Sequence, residues 1–262
     1  GNFNCLLDLP PLTKGCVRVY LCRHGETETN RLKGASPLLD PTINRNGHEQ
    51  AQRMGIAVSR LLSESRSNLL ILHSKLRRAR ETAEVLLQTA SVASSSQSTG
   101  NNNGSTLKMY GELPSLGRVD SVSSLDGTDL ADVFVSWTLG NIERRKGVGG
   151  GESGREVFDR AVLTLDQLRK IAMSSSSSSS PIILAVTHST YLRVLLSLVD
   201  DSTLIESALW EIQNGSFNVI DVNIVGKRML RAKGGLELEM PEAYLIRMNE
   251  MRHLEGMNVS AQ

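Results

Sequence analysis

An apolar, β-branched run, Val17-Arg-Val-Tyr-Leu-Cys22, ends abruptly in Arg23-His24-Gly25. A strand that stops at a glycine turn presents its last side chains at the sheet's carboxyl edge, where open α/β folds bind ligands. A histidine there is a candidate nucleophile, and the guanidinium beside it suits an anionic substrate. Three further stretches carry related chemistry. Ser74-Lys-Leu-Arg-Arg-Ala-Arg-Glu-Thr-Ala83 joins a strand end to a helix start, Glu112 follows a short strand, and Thr187-His188-Ser189 again joins strand to helix. This mixture suits phosphoryl transfer. A phosphomonoester carries roughly two negative charges near neutral pH. Transfer spreads charge over the equatorial oxygens, where positioned cations stabilise it. An arginine grips two oxygens at once, which a lysine cannot. A helix N-terminus adds backbone N–H donors, expected at Ser189 and near Arg77. The nucleophile is then a neutral imidazole nitrogen, and a carboxylic acid opposite supplies a proton to the departing alkoxide. No metal is required if two arginines and a second histidine supply the positive charge. No H-x-H or H-E-x-x-H spacing is present.

These residues act together only if their strand ends share one edge. The first strand is read at Arg18–Cys22. Asn44 is a plausible N-cap for a helix over 45–62 whose apolar residues Ala51, Met54, Val58, Leu61 and Leu62 recur at helical spacing. Leu69–His73 reads as a buried strand and Arg77–Gln88 as a helix with Ala79, Ala83, Leu86 and Leu87 inward. A short strand, Leu107–Tyr110, and a helix near Asp129–Leu139 follow. Ser153-Gly-Arg-Glu156 has the capping-box pattern and opens a helix with Val157, Ala161, Leu165, Leu168 and Ile171 on one face. Pro181-Ile-Ile-Leu-Ala-Val186 is a continuous apolar run, as in a strand buried on both faces. Tyr191–Val199 reads as a helix, and Phe217–Ile224 and Tyr244–Met248 as strands. The alternation calls for an α/β fold, a three-layer α/β/α sandwich with a mostly parallel central sheet. One domain over 1–262 is expected, with an irregular lead-in at 1–15. Low-complexity loop insertions are expected at 94–105 and 174–180.

The chain has 262 residues, 40% of them hydrophobic, enough for a sizeable core. Aromatics are only 4%, so that core is aliphatic. Basic residues number 29 and acidic residues 28, a net charge of +1 that gives no general reason to expect nucleic acid or a membrane surface as partner. Cys5, Cys16 and Cys22 lack C-x-x-C spacing, which argues against a disulfide framework or a zinc site and fits a reducing compartment. No run reaches membrane-spanning length. The expected setting is soluble and intracellular: cytoplasmic, or an organelle such as a plastid if a presequence was removed ahead of Gly1.

The chain resembles the histidine phosphatase superfamily, the phosphoglycerate mutase-like family. Arg23-His24-Gly25-Glu26-Thr27-x-x-Asn30 matches its first motif and Ser74-x-Leu-x-Arg78-Ala79-x-x-Thr82-Ala83 its second. Gly150-Gly-Glu-Ser153 with Glu156 and Arg160 matches the third, and Val186-Thr-His188-Ser189 the fourth. Asn214-Gly-Ser and Asn249-x-x-x-His253-Leu254 are similar to its C-terminal features. The resemblance implies a phosphoglycerate mutase-like fold and a metal-independent phosphomonoesterase without cofactor, whose partner is a small phosphorylated substrate. By that resemblance His24 is the nucleophile that becomes phosphohistidine. Arg23, Arg78 and His188 hold the transferred phosphoryl group, Asn30 and Ser189 bind substrate, and Glu112 is the proton donor. Two alternatives stay open: phosphoglycerate mutase-type transfer between hydroxyls, and a catalytically weak member that only binds a phospho-ligand. Glu112 and Gly117 stand one residue further apart than in the family's pattern, which leaves Asp120 as the next carboxylate. His73 is a candidate to line the site, His48 a surface residue and His253 a residue of the fold. Trp137 and Trp210 are packing residues. Arg144-Arg145-Lys146 is a solvated run or a grip for a second acidic group, and Gly147–Gly151 a weak nucleotide-binding candidate.

Overall fold

The structure is a computed structural model that describes residues 1–32, 40–65, 67–97, 106–119, 130–137, 139, 151–175, 181–232 and 236–257. Six strands form one sheet: β1 (Cys16–Arg23), β2 (Leu69–His73), β3 (Leu107–Glu112), β4 (Ile182–Thr187), β5 (Phe217–Ala232) and β6 (Leu236–Glu250), in the order β3-β2-β4-β1-β5-β6. The four strands from β3 to β1 are mutually parallel, and β5 and β6 run antiparallel to their neighbours. The helices are α1 (Glu28–Arg31), α2 (Arg45–Ser65), α3 (Arg77–Gln97), α4 (Leu130–Ser136), α5 (Gly154–Ser174), α6 (Ser189–Asp200) and α7 (Leu204–Ala208).

Side-chain alternation along the strands builds two cores. Tyr20, Cys22, Leu184 and Val186 face α2 and α3, which bring Met54, Val58, Ala83 and Leu86. Val19, Leu21, Ile183 and Ala185 face the other way, against Phe134, Val157, Leu165 and Tyr191. The result is a sheet with a helical layer on each face. Two start signals are realised: Asn44 Oδ1 accepts from Gly47 N–H at 2.9 Å, and Ser153 and Glu156 cap each other's backbone. The lead-in before β1 contains neither helix nor strand, yet Cys5 and Leu6 are buried.

Five elements differ in extent from expectation. Helix α3 runs on to Gln97, through Ser94–Gln97, which the expected insertion at 94–105 includes. Serine is only mildly unfavourable in a helix. Its hydroxyl bonds back to the preceding turn here, as Ser91 does to Leu87 O and Ser95 to Val92 O. Ser174 likewise closes α5 rather than opening a loop. The strand expected at Leu107–Tyr110 reaches Glu112, because β3 stays paired to β2 past a bulge at Ile71/Leu72, with Gly111 at φ +121. Strand β5 is about twice and β6 about three times as long as its sequence pattern, because beyond β1 they pair with each other. The rest of both expected insertions, 98–105 and 176–180, lies outside the described residues.

Candidate active site

The parallel strands put the ends of β1, β4, β2 and β3 at one edge: Arg23 is opposite Thr187, Val186 opposite His73, and His73 opposite Glu112. His24 and His188 therefore leave adjacent strand ends. Their ring centroids lie 5.2 Å apart. Ser74 continues β2, and the first turn of α3 delivers Arg78. Arg77 and Arg80 on the same turn are exposed while Arg78 is buried, as the inward register of Ala79 and Ala83 requires.

The hydrogen bonds of His24 admit one tautomer. Nδ1 lies 2.8 Å from Gly25 O, and a carbonyl only accepts. Nδ1 therefore carries the proton and Nε2 a lone pair. Arg78 Nε donates to that lone pair at 3.2 Å. Burial, then the charges of Arg78 and Arg23, hold the imidazole's pKa well below 6.5. His188 is neutral for similar reasons, burial first and then the proximity of His24, Arg78, Arg118 and Arg23. Its Nε2 lies 2.7 Å from Ser74 Oγ. That hydroxyl also accepts from Leu76 N–H at 3.3 Å. His188 Nδ1 is buried without a partner among the described residues. A buried polar atom left so is a group that a ligand would satisfy.

The guanidiniums are crowded. Burial, with Arg193 and Arg78 nearby, pulls Arg23 down to about 9. Burial also pulls Arg78 down to about 10, against the opposing effect of Asp40, 3.3 Å from its Nη1. Arg23 donates to Ile212 O at 2.6 Å and Arg193 to Trp210 O at 2.7 Å. These carbonyls share the positive charge without neutralising it, so the site favours an anion.

A second layer holds the His24 turn. Thr82 Oγ1 accepts from Gly25 N–H at 2.9 Å and donates to Arg78 O at 2.7 Å, coupling the turn to α3. Asn214 donates to His24 O at 2.9 Å and to Asn30 Oδ1 at 3.2 Å. Asn30 Oδ1 also accepts from Thr27, which leaves its NH₂ as the donating end. A Cβ on Gly25 would stand 2.6 Å from Gly47 O, so only glycine lets the α2 terminus approach this closely.

Of the residues singled out by sequence, Arg23, His24, Arg78 and His188 converge. Asn30 joins them through Asn214, and Ser189, half-buried, opens α6 directly after His188. Glu112 stands at the same edge, but its side chain is exposed and has no hydrogen bond or ion pair among the described residues. His48 is exposed, and Trp137 is buried. His253 is buried, with Nε2 3.0 Å from Gly215 O. Asp120, Arg144–Lys146 and Gly147–Gly150 lie outside the described residues. The motif matches contained Ser74, Thr82 and Asn214 but gave them no task. Arg118 was not singled out, and one arginine beside a glycine carries no pattern.

Among the described residues, no group of three or more His, Cys, Asp or Glu could hold a metal ion. No described helix is long and apolar enough to cross a membrane.

A parallel-sheet edge holding two neutral histidines among buried arginines defines an anion-handling α/β protein. The family follows from the sequence: the model of the histidine phosphatase superfamily (branch 1) matches residues 19–97 and 127–233. The chain belongs to that superfamily. No curated protein matches the chain significantly. Solved structures share the fold. The product of open reading frame Rv3214 of Mycobacterium tuberculosis is 21% identical, with 89% of this chain and 97% of that one covered and a TM-score of 0.54. A phosphoserine phosphatase of Entamoeba histolytica, in complex with phosphoserine, is 16% identical, with coverage of 91% and 99% and a TM-score of 0.54. The mycobacterial glucosyl-3-phosphoglycerate phosphatase complexed with VO3 is 16% identical, with coverage of 88% and 100% and a TM-score of 0.53.

Proposed function

We propose that this protein is a metal-independent phosphomonoesterase that hydrolyses a small phosphorylated substrate through a phosphohistidine on His24. One observation carries the reading: His24 is neutral, with its proton fixed on Nδ1 by Gly25 O and its Nε2 lone pair lying against Arg78. In the first step Arg78 gives up that contact and turns its guanidinium to the phosphoryl oxygens. Nε2 forms the N–P bond as the ester P–O bond breaks. Glu112, as a carboxylic acid, protonates the departing alkoxide. In the second step the Glu112 carboxylate takes a proton from water, the water oxygen attacks phosphorus, and the N–P bond breaks to release phosphate. Arg23, Arg78 and His188 stabilise the equatorial oxygens in both steps, and Asn30 and Ser189 bind substrate. Membership of the superfamily and phosphatases among the structural neighbours support this chemistry.

The test is phosphate release from a panel of phosphorylated metabolites, with trapping of an acid-labile phosphoenzyme. His24→Ala is expected to abolish both, and persistence of either contradicts the assignment. Activity lost to a chelator contradicts the metal-independent reading. Isomerisation of phosphoglycerate faster than phosphate release replaces hydrolysis by mutase chemistry.

A further inference from the structure

The end of β1 is held from behind by a turn over 213–216. Ser216 N–H donates to Gln213 O at 3.1 Å and closes it. Gly215 N–H donates to Arg23 O at 3.2 Å and His24 O at 3.3 Å, and Ser216 O accepts from Arg23 N–H at 3.2 Å. With the Asn214 amide on His24 O, three successive residues grip the backbone that carries the nucleophile. The peptide joining Gly215 to Ser216 lies between two of these grips. Gly215 stands at φ +74, and a glycine adopts either sign of φ readily, so its own backbone does not keep that peptide from turning over.

A side chain from beyond β6 does. His253, in the 3₁₀ turn Arg252–Leu254, is fully buried and has Nε2 3.0 Å from Gly215 O. A carbonyl only accepts, so Nε2 carries the proton and donates it to the bond. The ring lies against Phe217, with centroids 4.8 Å apart. Nδ1 is buried without a hydrogen-bond partner among the described residues, a penalty that an apolar ring would avoid. Packing alone therefore does not account for a histidine here, whereas the bond to Gly215 O does. Asn249, at φ +49, accepts from Gln213 N–H at 2.9 Å and holds the start of the same turn. We infer that His253 is a positioning residue for the reaction. By fixing the Gly215–Ser216 peptide it sets the backbone of Arg23 and His24, and with it the line along which His24 Nε2 meets phosphorus. This rests on the phosphatase reading above.

The experiment measures kcat and KM for p-nitrophenyl phosphate in the wild type, His253→Gln and His253→Phe, with near-ultraviolet circular dichroism giving the folded fraction. Phenylalanine keeps a ring against Phe217 and drops the donor, and glutamine keeps an N–H donor and drops the ring. His253→Phe is expected to lower kcat by about ten- to a hundred-fold with KM within about two-fold, and His253→Gln to stay within about three-fold of wild type, because only the aim of the nucleophile is lost. The loss in His253→Phe/Asn214→Ala is expected to be smaller than the product of the two single losses, since both residues act on one turn. The reverse order, with His253→Phe as active as wild type and His253→Gln impaired, assigns His253 to packing and overturns the inference. So do losses that multiply in the double variant. Should His253→Phe not fold, His253→Asn replaces it, its amide being one methylene too short for Gly215 O; kcat equal to that of His253→Gln overturns the inference there. These outcomes leave the phosphatase reading standing. A wild type that turns over neither p-nitrophenyl phosphate nor any metabolite of the panel defeats that reading and the inference with it.

Discussion

Three buried imidazoles make this protein's stability depend on pH in a stated window. His24 and His188 are each 4% exposed and His253 is 0% exposed. Burial holds the first two well below 6.5, and burial first of all brings His253 to about 4. Each is neutral in the folded protein and takes up a proton on unfolding once the pH falls below about 6.5. The unfolded state then binds more protons, so stability falls with pH from about 6.5 down to each folded value. In that window the size depends on one proton per group and not on how far each pKa is displaced. Between pH 7.5 and 5.5 each imidazole removes about 1 kcal/mol, and the three together about 3–4 kcal/mol. Asp8 and Glu250, both held low by Arg252, weaken the fold only as the pH falls below their ordinary values of 3.8 and 4.5. For a protein of ordinary stability, about 5–15 kcal/mol, the histidine effect is large. Urea unfolding at the two pH values is expected to show a midpoint lower by more than about 1 M at pH 5.5. In His24→Gln/His188→Gln the loss should shrink to about a third, the share of His253. An equal loss in wild type and double variant would refute the assignment of neutral, desolvated imidazoles to the site.

Gly25→Ala places a methyl 2.6 Å from Gly47 O, and separating the two backbones is expected to cost about 1–3 kcal/mol and at least ten-fold in turnover, read by thermal melting and kcat. Ser74→Ala deprives the buried Nε2 of His188 of its 2.7 Å partner; we expect about 1–3 kcal/mol of destabilisation and a kcat/KM lower by about ten-fold or more. Arg78→Lys removes both the planar grip and the Nε donor to His24, so kcat/KM is expected to fall at least about a hundred-fold. Wild-type-like kinetics there would move the role to another arginine.

The legible parts of the site depend on local pattern. The run Val17–Cys22 must be a strand, and a charged pair directly after it must sit at that strand's end. Arg78 separates from Arg77 and Arg80 because Ala79 and Ala83 fix which face of α3 turns inward. Contacts that span the chain leave no such trace. Thr82 serves Gly25 and Asn214 serves His24 across long separations, and neither polar residue differs locally from a surface one. The outer halves of β5 and β6 were unreadable because their partners are each other. The helical serines at the end of α3 read as linker because serine commits to no structure by itself. The exposure of Glu112 continues the alternation along β3, in which Lys108 and Tyr110 are exposed as well.

The second layer explains how buried arginines can face a neutral imidazole at all. A desolvated guanidinium costs several kcal/mol unless its donors are occupied. Here Ile212 O and Asp40 take part of that load, and Arg78 spends its Nε–H on the lone pair of His24. The neutral nitrogen of His24 accepts less strongly than a phosphate oxygen does. Under the proposed phosphohistidine reading, an arriving phosphoryl group offers Arg78 a better acceptor and in the same movement exposes Nε2 to phosphorus. Binding and activation of the nucleophile are, on that proposal, one exchange of partners around residue 78. It requires no domain closure, only a side chain already poised between the carboxylate of Asp40 and the ring of His24.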